Sequence, residues 1–567
     1  SESFRIMAGP LQTTQLFGGS AEPFYNEAIT SSLRFPEQNG GGYLSRTFDH
    51  NNSSSDWTFS TWLKRGQIGN FQVLFSSTSQ GNPYYQSALT IDGNDKVYYY
   101  HGSNANSGGG THNNFTSSNV LKDTASWYHI VVQRDNDGNT IMYVNGTQYG
   151  SGSSSSNLRY INGTNYPHYI GNYTYQSNPG GELHGYLAET IFVDGTLVAP
   201  TALAETKNGV WIPIKDPDLT YGENGFRLQY LQTGTSANAS GMGADTSGNN
   251  HHFTVTTLTA HDVVPDNPEN NFSNMNPLVR TNGADQSDFS EGNLKLTKTG
   301  TTYSYYQSTF GVKTGKWYAE IRCNAKTSPH FMIGIAEMNL ETYMTGDSVD
   351  PHTTAGSIWY SDNGYGHLDG TGVATGTFSN NTGFNAGQIV GIALDLDSGT
   401  RTVKFYVDGS LVTTQNLTSN FKDHIGFACN WYNSQTGVWN FGQDSSFAGA
   451  ETATSNSDGN GNGTFHTSVP SGYLALCTAN LEEPTIGPNS NTLSTDVFNT
   501  LLYTGNTSST RAITGVGFKP DWVWFAQRNN TSGRVTYDSS RGVNKMLRTD
   551  GSGAEDDSSQ YGYLSVF

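Results

Sequence analysis

The 567-residue sequence has little charge, little cysteine and no long apolar run. Charged residues make up 14% of the chain, and 48 acidic against 29 basic side chains leave a formal net charge of −19. Such a chain has no evident basic face with which to neutralise phosphates, so we expect neither nucleic acid nor an anionic membrane surface as a partner. No run of about 18 apolar residues is present, so we expect no membrane insertion.

Motifs of catalytic and metal chemistry are also missing. The sequence contains no G-x-S-x-G elbow, no P-loop and no H-E-x-x-H pattern, and its cysteines form no C-x-x-C pair. A glycosidase needs two carboxylates flanking one bond, but no Glu-x-Asp-x-Glu triplet places them on one strand face. We therefore predict no catalytic residue and no cofactor, and interpret the protein as not an enzyme, although carboxylates from distant strands can still converge.

The three cysteines and the first residues point to the setting in which the protein is made. Cys323, Cys429 and Cys477 are odd in number and stand in apolar contexts, which predicts buried free thiols rather than a disulfide framework. The start, "SESFRIMAGP", has no basic-then-apolar signal segment, so we expect synthesis in the cytoplasm. Residues 1–30 show no period. They are interpreted as an N-terminal arm that docks on a partner, with a disordered tail as the alternative.

Short alternating segments joined by glycine and asparagine turns dominate what is present. Glycine accounts for 66 residues and aromatics for 12% of the chain. "DWTFSTWLKR" alternates, with Trp57, Phe59 and Leu63 on one face and Trp62 and Lys64 on the other. Turns such as "NDGN" and "VNGT" suit hairpins, because asparagine and glycine tolerate positive φ. The pattern predicts an all-β fold of tandem jelly-roll or β-sandwich domains.

The first half of the chain resembles a known family. "SLRF", "WTFSTWLKRG", "WYHIVVQRDNDGNTIMYVNGTQ" and "LAETIFVDG" are similar to the laminin-G, concanavalin A-like jelly roll, here over residues 31–205. This variant looks like those in virion proteins of bacteriophages, particularly marine ones. Carbohydrate binders, calcium-dependent adhesion modules and spacers share the fold, so the resemblance does not by itself give a function.

Two further resemblances follow along the chain. "GKWYAEIRC", "IGIA" and the stretch Gly387 to Gly409 are similar to the SPRY fold, over residues 281–490 with a C-terminal extension. SPRY domains mostly bind proteins through surface loops. Residues 491–567 resemble part of a β-rich module that follows SPRY-like domains in marine phage proteins, and residues 206–280 are predicted to be a strand-containing connector.

The SPRY resemblance suggests a contact surface. The groups "IWYSDNGYGH" and "CNWYNSQTG" stand where such domains expose loops, and aromatic side chains there can stack on sugars or on the rings of a partner. The alternative, for any aromatic cluster, is a place in the core. The candidate contact residues are Trp359, Tyr360, Tyr365, His367, Trp431 and Tyr432.

Two acidic loops have the alternating oxygens of calcium sites, namely Asp135 to Asn139 and Asp395 to Gly399. Both stand between strands and lack a distal bidentate glutamate, so hairpin turns are the favoured interpretation. Calcium is kept as a possible ligand, and no metal residue is assigned.

The segment "PDNPENNFSNMNP", Pro265 to Pro277, is predicted to be a joint between domains. Its three prolines disfavour helix and discourage sheet pairing. The nearby His251 and His252 are adjacent, so on a strand they would face opposite ways and would not easily chelate one ion.

These patterns together suggest a structural virion protein of a bacteriophage, a tail or head fibre or spike that contacts the host surface or neighbouring subunits. Its expected location is the virion. Its expected partners are other virion proteins through the arm, further copies of itself, often three, and a host surface glycan. The alternatives are a secreted bacterial carbohydrate-binding adhesin and a polysaccharide depolymerase.

Overall fold

The computed structural model describes most of the chain between Phe24 and Phe567. The described residues are 24–36, 41–50, 56–78, 85–103, 112–153, 161–175, 178–280, 288–327, 330–338, 355–368, 382–482, 486, 492–506, 511–528, 534–556, 564 and 566–567. The helical turns among them are short 3-10 segments, among which are Pro200–Ala202, Ala260–Asp262, Thr478–Asn480 and Ser494–Asp496. No helix of the described part is long and apolar enough to cross a membrane. The fold is all-β, as predicted.

The first β-sandwich and the short two-stranded sheets beside it contain nineteen strands. They are β1 (Ser32–Phe35), β2 (Tyr43–Thr47), β3 (Trp57–Arg65), β4 (Gln72–Thr78), β5 (Tyr85–Ile91), β6 (Lys96–Ser103), β7 (His112–Val120), β8 (Trp127–Arg134), β9 (Asn139–Val144), β10 (Thr147–Ser153), β11 (Pro167–Ile170), β12 (Tyr173–Tyr175), β13 (Asn178–Gly180), β14 (Gly185–Asp194), β15 (Ala204–Lys207), β16 (Val210–Pro213), β17 (Phe226–Leu228), β18 (Thr254–Thr256) and β19 (Val263–Val264).

Two antiparallel sheets make the first sandwich. One runs β10-β9-β8-β3-β14-β1-β19, with β17 also paired to β14, and the other runs β18-β2-β11-β4-β5-β6-β7. Side chains from both sheets fill one core that includes Trp57, Phe59, Phe75 and Phe192. Strands β17, β18 and β19 belong to the stretch 206–280, so the segment interpreted as a connector contributes strands to both sheets of the first sandwich.

The alternation of β3 separates two covered faces rather than a core face and a solvent face. Trp57, Phe59 and Leu63 enter the main core. Trp62, on the other face, packs in a second apolar cluster with Trp127 and Tyr186. All nine residues of β3 are buried. Because both faces of β3 are covered, each polar side chain on this strand needs a hydrogen-bond partner within the protein. The partners of its outward residues therefore show which segments pack against that face.

The second sandwich also has two sheets. Its strands are β20 (Met275–Arg280), β21 (Phe289–Ser290), β22 (Lys295–Lys298), β23 (Ser304–Ser308), β24 (Lys316–Lys326), β25 (Phe331–Glu337), β26 (Ser357–Ser361), β27 (Gly366–Leu368), β28 (Ile389–Asp395), β29 (Thr402–Val407), β30 (Ser410–Asn416), β31 (Ile425–Trp431), β32 (Gln435–Asn440) and β33 (Leu474–Ala475). One sheet runs β20-β23-β31-β25-β26-β27 and the other β21-β22-β32-β24-β28-β29-β30, with β33 parallel to β24.

Both sandwiches belong to one compact unit, formed by Tyr25–Glu205 and Trp211–Leu481. The described residues from Glu482 onward belong to a separate unit. There β34 (Trp522–Phe525), β35 (Val535–Asp538) and β36 (Leu547–Arg548) form a three-stranded sheet. The predicted arm, residues 1–30, lies outside the described residues up to position 23.

The three cysteines are buried and unpaired, as the sequence predicts. Burial raises the pKa of the Cys323 thiol to about 12, so this group stays protonated and unreactive at neutral pH.

Candidate functional site

The predicted contact surface of the second sandwich is largely core. Trp359, Tyr360 and Trp431 have no exposed surface. The two groups are not loops at these positions, because Ser357–Ser361 forms β26 and Ile425–Trp431 forms β31, both interior strands of one sheet. The prediction that these three residues contact a partner is therefore wrong, and the core alternative holds for them.

Opposite faces of that sheet bury the two adjacent aromatics of β26. Tyr360 joins the main core of the second sandwich. Trp359 points the other way, into a smaller cluster with Tyr305 and Met332. The prediction was wrong because these segments, expected to be exposed loops, are strands of a sheet that is covered on both faces.

The remaining candidate residues are distributed between surface and interior. Tyr365 is 44% exposed, whereas His367 is only 8% exposed. Tyr432 is partly buried, with its ring centroid 4.9 Å from that of Tyr303. Tyr365 and Tyr432 are therefore the members of the predicted surface that can still reach a partner.

The two acidic loops are hairpin turns in which the first carboxylate serves the turn. Asp135 lies between β8 and β9, and its carboxylate accepts the main-chain N–H of Asn139 at 2.8 Å and the side-chain amide of the same residue at 2.7 Å. Asp395 ends β28, and its carboxylate accepts the N–H of Ser398 at 3.0 Å and the hydroxyl of that residue at 2.7 Å.

A lysine of the protein itself lies against the second of these loops. Lys316 Nζ is 2.9 Å from Asp395 Oδ2. Burial alone would raise the pKa of Asp395, but hydrogen bonds from Lys316 and Ser398 outweigh it and lower that pKa to about 2. The ammonium group thus takes the place at this carboxylate that a bound cation would need.

A buried serine–histidine pair lies under the outer face of the first sandwich. His129 Nε2 is 2.8 Å from Ser60 Oγ, and the indole N–H of Trp211 donates to Nδ1 of the same ring at 3.0 Å. Because an indole only donates, Nδ1 must be the acceptor and Nε2 must carry the proton. A general base needs the opposite arrangement, with a free Nε2 facing the hydroxyl.

Burial also keeps His129 neutral, because it lowers the pKa of the imidazole to about 3. His129 is 1% exposed, so no substrate reaches it. The pair is a structural contact that satisfies polar groups between β3, β8 and the strand that carries Trp211.

A shallow cleft on the first sandwich contains a second buried titratable group. Glu189 stands at an irregularity of β14, where the register against β3 shifts, and it adopts a positive φ of 47°. Its carboxylate is 2.5 Å from Arg227 Nε, and Arg227 Nη1 is 3.1 Å from Asp216. Burial raises the pKa of Glu189 to about 7, against the opposing attraction of Arg227.

The cleft itself is lined by Glu27, Ala28, Ile29, Thr30, Glu189, Lys215, Asp216, Gln229 and Leu231. Sequence reasoning did not find it, because its walls come from four separate stretches and the bulge in β14 leaves no motif. Arg227 bridges the two carboxylates, so they form an ion-pair cluster rather than the open pair that glycoside hydrolysis requires.

Several buried polar groups meet at the joint between the two sandwiches. Lys64, on the outer face of β3, has a fully buried side chain, and its ammonium donates to Asp266 Oδ2 at 2.7 Å, Asn271 Oδ1 at 2.7 Å and the carbonyl of Phe272 at 2.8 Å. An ammonium has three N–H donors, so all three are used. The acceptors all belong to the segment Pro265 to Pro277.

The same segment enters the second sandwich through an apolar side chain. Phe272 is fully buried in a cluster with Tyr318, Phe465 and Cys477. Phe272 also forms a β-bridge with Cys477, and the N–H of the next residue, Ser273, donates to the carbonyl of Leu476 at 3.0 Å. The segment predicted as a joint therefore packs on both sandwiches, by charge on one side and by apolar burial on the other.

A second buried cation crosses between the sandwiches beside this segment. Arg34 of β1 has no exposed side-chain area, and its guanidinium lies 3.3 Å from Asp262, 3.6 Å from Glu291 and 3.0 Å from Asp444. The last two carboxylates belong to the second sandwich. Tyr186 adds a hydrogen bond from its hydroxyl to the carbonyl of Gly292 at 2.8 Å.

Comparison with known proteins supports the fold of the first sandwich and matches a separate family at the C-terminus. Residues 38–202 match the family described as the concanavalin A-like lectin/glucanases superfamily. Residues 493–567 match a domain of unknown function, DUF7483. None of the curated proteins matches the sequence.

Several solved structures are similar to parts of the chain. The SPRY domain of human HERC1 is 14% identical, with 29% of this chain and 96% of that chain covered and a TM-score of 0.23. A putative carbohydrate binding protein from Bacteroides ovatus is 17% identical, with 41% and 59% covered and a TM-score of 0.28. Tailspike protein 2 from Escherichia coli O157:H7 bacteriophage CAB120 is 14% identical, with 29% and 23% covered and a TM-score of 0.22. At such identities these similarities concern fold alone.

Proposed function

We propose that this protein is a non-catalytic virion appendage protein of a bacteriophage, a tail or head fibre or spike whose tandem sandwiches project from the particle. The observation that carries the proposal is the joint between the sandwiches. Two fully buried cations are paired with carboxylates there, Lys64 with Asp266 of the linking segment and Arg34 with Asp444 of the second sandwich.

Such a joint suits a rod better than a hinge. Domains that move relative to one another are usually linked by exposed segments that few contacts cross. Here Asp266, at the start of the link, is itself fully buried and also accepts the indole N–H of Trp127 at 3.3 Å. Bending the joint would expose or unpair these charges, so the two sandwiches transmit load as one body.

The side chains that resemble catalytic groups support the non-enzymatic part of the proposal. The Ser60–His129 pair has its proton on the nitrogen that would need to act as base. Glu320, another buried carboxylate, accepts the N–H groups of His466 and Thr467, both at 2.8 Å, as well as the hydroxyl of Thr467 at 2.6 Å. A carboxylate saturated in this way holds structure and has no free oxygen for a substrate.

The proposed partners follow from this role. Residues 1–30 would anchor the chain to other virion proteins, and copies of the chain would assemble into a homo-oligomer, with a trimer as the form to test. The match of residues 38–202 to a superfamily of lectins and glucanases makes a host surface glycan the ligand to test for the first sandwich.

Purified phage particles from a host that carries this gene provide the direct test. Mass spectrometry should find the chain in the particles in a fixed ratio to the capsid protein, and cryo-electron microscopy should show paired sandwiches on an appendage. Absence of the chain from purified particles would overturn the proposal.

A secreted bacterial carbohydrate-binding adhesin is the second candidate, and the same superfamily match favours it. Detection of the chain on the surface of uninfected bacteria, with its absence from particles, would select this candidate. A polysaccharide depolymerase is the third, and release of new reducing ends from capsule or lipopolysaccharide would select it over both binding roles.

A further inference from the structure

Three potential metal ligands meet at the rim of the first sandwich. Asp49 and His50 closely follow β2, and His251 shortly precedes β18. One ligand atom from each of the three lies within 4.8 Å of the others. The pairing of β18 with β2 brings these distant stretches of sequence together.

His251 is held in an orientation that suits a metal ligand. Its main-chain N–H donates to Asp245 Oδ2 at 2.8 Å, and its Nδ1 is 3.1 Å from the carbonyl oxygen of Gly225. A carbonyl only accepts, so Nδ1 carries the proton and Nε2 has a lone pair. Metal-binding histidines commonly donate their other N–H to a carbonyl in this way.

Nε2 of His251 has no hydrogen-bond partner among the described residues, although His251 is only 5% exposed. The lone pair of this nitrogen is therefore available to a ligand. His50 and Asp49 are the side chains that supply donor atoms next to it.

The backbone of His50 is fixed while its ring reaches the surface. The carbonyl of His50 accepts the hydroxyl of Thr164 at 2.8 Å and the side-chain amide of Asn224 at 3.0 Å. Half of the His50 side chain and 65% of the Asp49 side chain are exposed. These two side chains can therefore rotate toward an ion, whereas His251 is set in place.

We propose that Asp49, His50 and His251 bind a divalent transition-metal ion, with Zn²⁺ as the representative, and that water fills the remaining coordination positions. Two imidazoles and a carboxylate are a donor set that suits Zn²⁺ and related ions better than Ca²⁺. Zn²⁺ ligands at about 2.0–2.1 Å stand about 3.4 Å apart in a tetrahedron, so small rotations of the exposed pair complete the site.

One cation of the protein lies close by. Arg46 Nη2 is 3.5 Å from Asp49 Oδ1, which leaves the second carboxylate oxygen for an ion. The other His-containing acidic cluster, His261 with Asp262 and Glu291, differs because the guanidinium of Arg34 already lies between its carboxylates.

The site also explains how one of two adjacent histidines can bind a metal without the other. Nδ1 of His252 accepts the main-chain N–H of Asp245 at 3.0 Å, so that ring is engaged elsewhere. The bound ion would link the segment after β2 to the turn before β18, next to the point where these two strands pair.

Titration of the tag-free full chain with Zn²⁺ after chelator treatment tests the proposal. Isothermal titration calorimetry should show one saturable site per chain. Co²⁺ in the same site should give visible ligand-field absorption, which reports nitrogen and oxygen coordination directly. Replacing His50 by alanine should weaken Zn²⁺ binding at least about 100-fold, because loss of a ligand should exceed the 10–100-fold cost of disturbing its surroundings.

A matched control is available on the second sandwich. Asp423 and His424 are also adjacent and exposed, with His424 Nδ1 2.9 Å from the carboxylate, but no third ligand is found beside them among the described residues. His424→Ala should leave Zn²⁺ affinity unchanged. Asp49→Asn, which alters only an exposed side chain, should weaken binding without unfolding the protein.

Two outcomes overturn the assignment. One is a wild-type chain with no saturable Zn²⁺ binding below about 100 μM, an affinity far weaker than that of structural zinc sites. The other is equal affinity of the wild type and His50→Ala, which would place the ion elsewhere. Because the site does not depend on the appendage role, either outcome leaves the proposed function untouched.

Discussion

Two lysine–aspartate pairs of nearly equal length stand in different surroundings in this protein. Lys64 and Asp266 are 2.7 Å apart at the joint, and neither side chain has exposed area. Lys316 and Asp395 are 2.9 Å apart at a hairpin of the second sandwich, where a third of the lysine side chain is exposed. The chemistry of the two pairs is the same and their surroundings are not.

The difference teaches how burial converts an ion pair into a positional constraint. At the hairpin, water can solvate the lysine when the pair opens. The contact therefore lowers the pKa of the aspartate but contributes little to the free energy of unfolding. At the joint, burial lowers the pKa of Lys64 and raises that of Asp266, while their mutual attraction opposes both shifts. Opening the buried pair would leave two charges without water, so the segment stays where both are satisfied.

The largest effect should come from breaking the buried pair. Lys64→Met keeps most of the side-chain volume but leaves Asp266, Asn271 and the carbonyl of Phe272 without their donor. Removing one partner of a buried pair typically costs about 3–5 kcal/mol. Urea unfolding followed by tryptophan fluorescence should show this loss. An equally small change for Lys64→Met and Lys316→Met would refute the comparison.

A loss of similar or slightly smaller size should follow when the apolar side of the joint is removed. Phe272→Ala leaves a cavity in the cluster of Tyr318 and Phe465, and such truncations cost about 3–5 kcal/mol in well-packed cores. The same unfolding measurement applies, with Phe71→Ala as control because Phe71 is 38% exposed. Equal costs for the two variants would show that Phe272 does not anchor the segment.

Burial should also set the pH response of a group that has no counter-ion. Because the pKa of His129 falls to about 3 in the folded protein, the stability from its neutral form is present above pH 6.5. Below that pH the unfolded chain takes up the proton first, so stability falls by about 1.4 kcal/mol per pH unit. The gap in unfolding free energy between wild type and His129→Gln should narrow accordingly from pH 6.5 to 4.5. A gap that stays constant would contradict the neutral buried imidazole.

The smallest effect should come from the hairpin pair. Lys316→Met removes the ammonium that helps to lower the pKa of Asp395 to about 2, so the pKa of Asp395 should rise toward its ordinary range. NMR titration of the carboxyl carbon measures this shift. The urea midpoint should not change, and a marked loss of stability would mean that the surface pair acts like the buried one.

The strand pattern of this chain was predictable because it is local. Alternation in "DWTFSTWLKR" and turns of asparagine and glycine carry enough information to predict sandwiches, and the family match over residues 38–202 agrees. The hairpin from Gly387 to Gly409 was visible for the same reason, and its two strands pair as β28 and β29. Buried thiols followed from apolar neighbours in sequence.

The candidate site was harder to predict because its parts are distant in sequence. Trp359 and Trp431 resemble exposed binding aromatics in the sequence, yet both faces of their sheet are covered. The residues Arg34 and Asp444, and likewise His50 and His251, meet only after the strands have paired. No spacing rule connects them, since each contact joins separate elements.

By itself the sequence determined an all-β chain with free buried cysteines and a proline-rich segment unsuited to helix, because periodicity, turn chemistry and proline sterics act between neighbours. The expectation that this segment avoids sheet pairing was wrong at its end, where Met275 begins the edge strand β20 and Pro277 lies within it. Only the tertiary structure decided which polar residues are buried and which groups form hydrogen bonds and ion pairs with them. Burial depends on what a second layer covers, and that layer comes from elsewhere in the chain. Lys64 looks like an ordinary strand-end lysine until the segment from Asp266 to Phe272 closes over it.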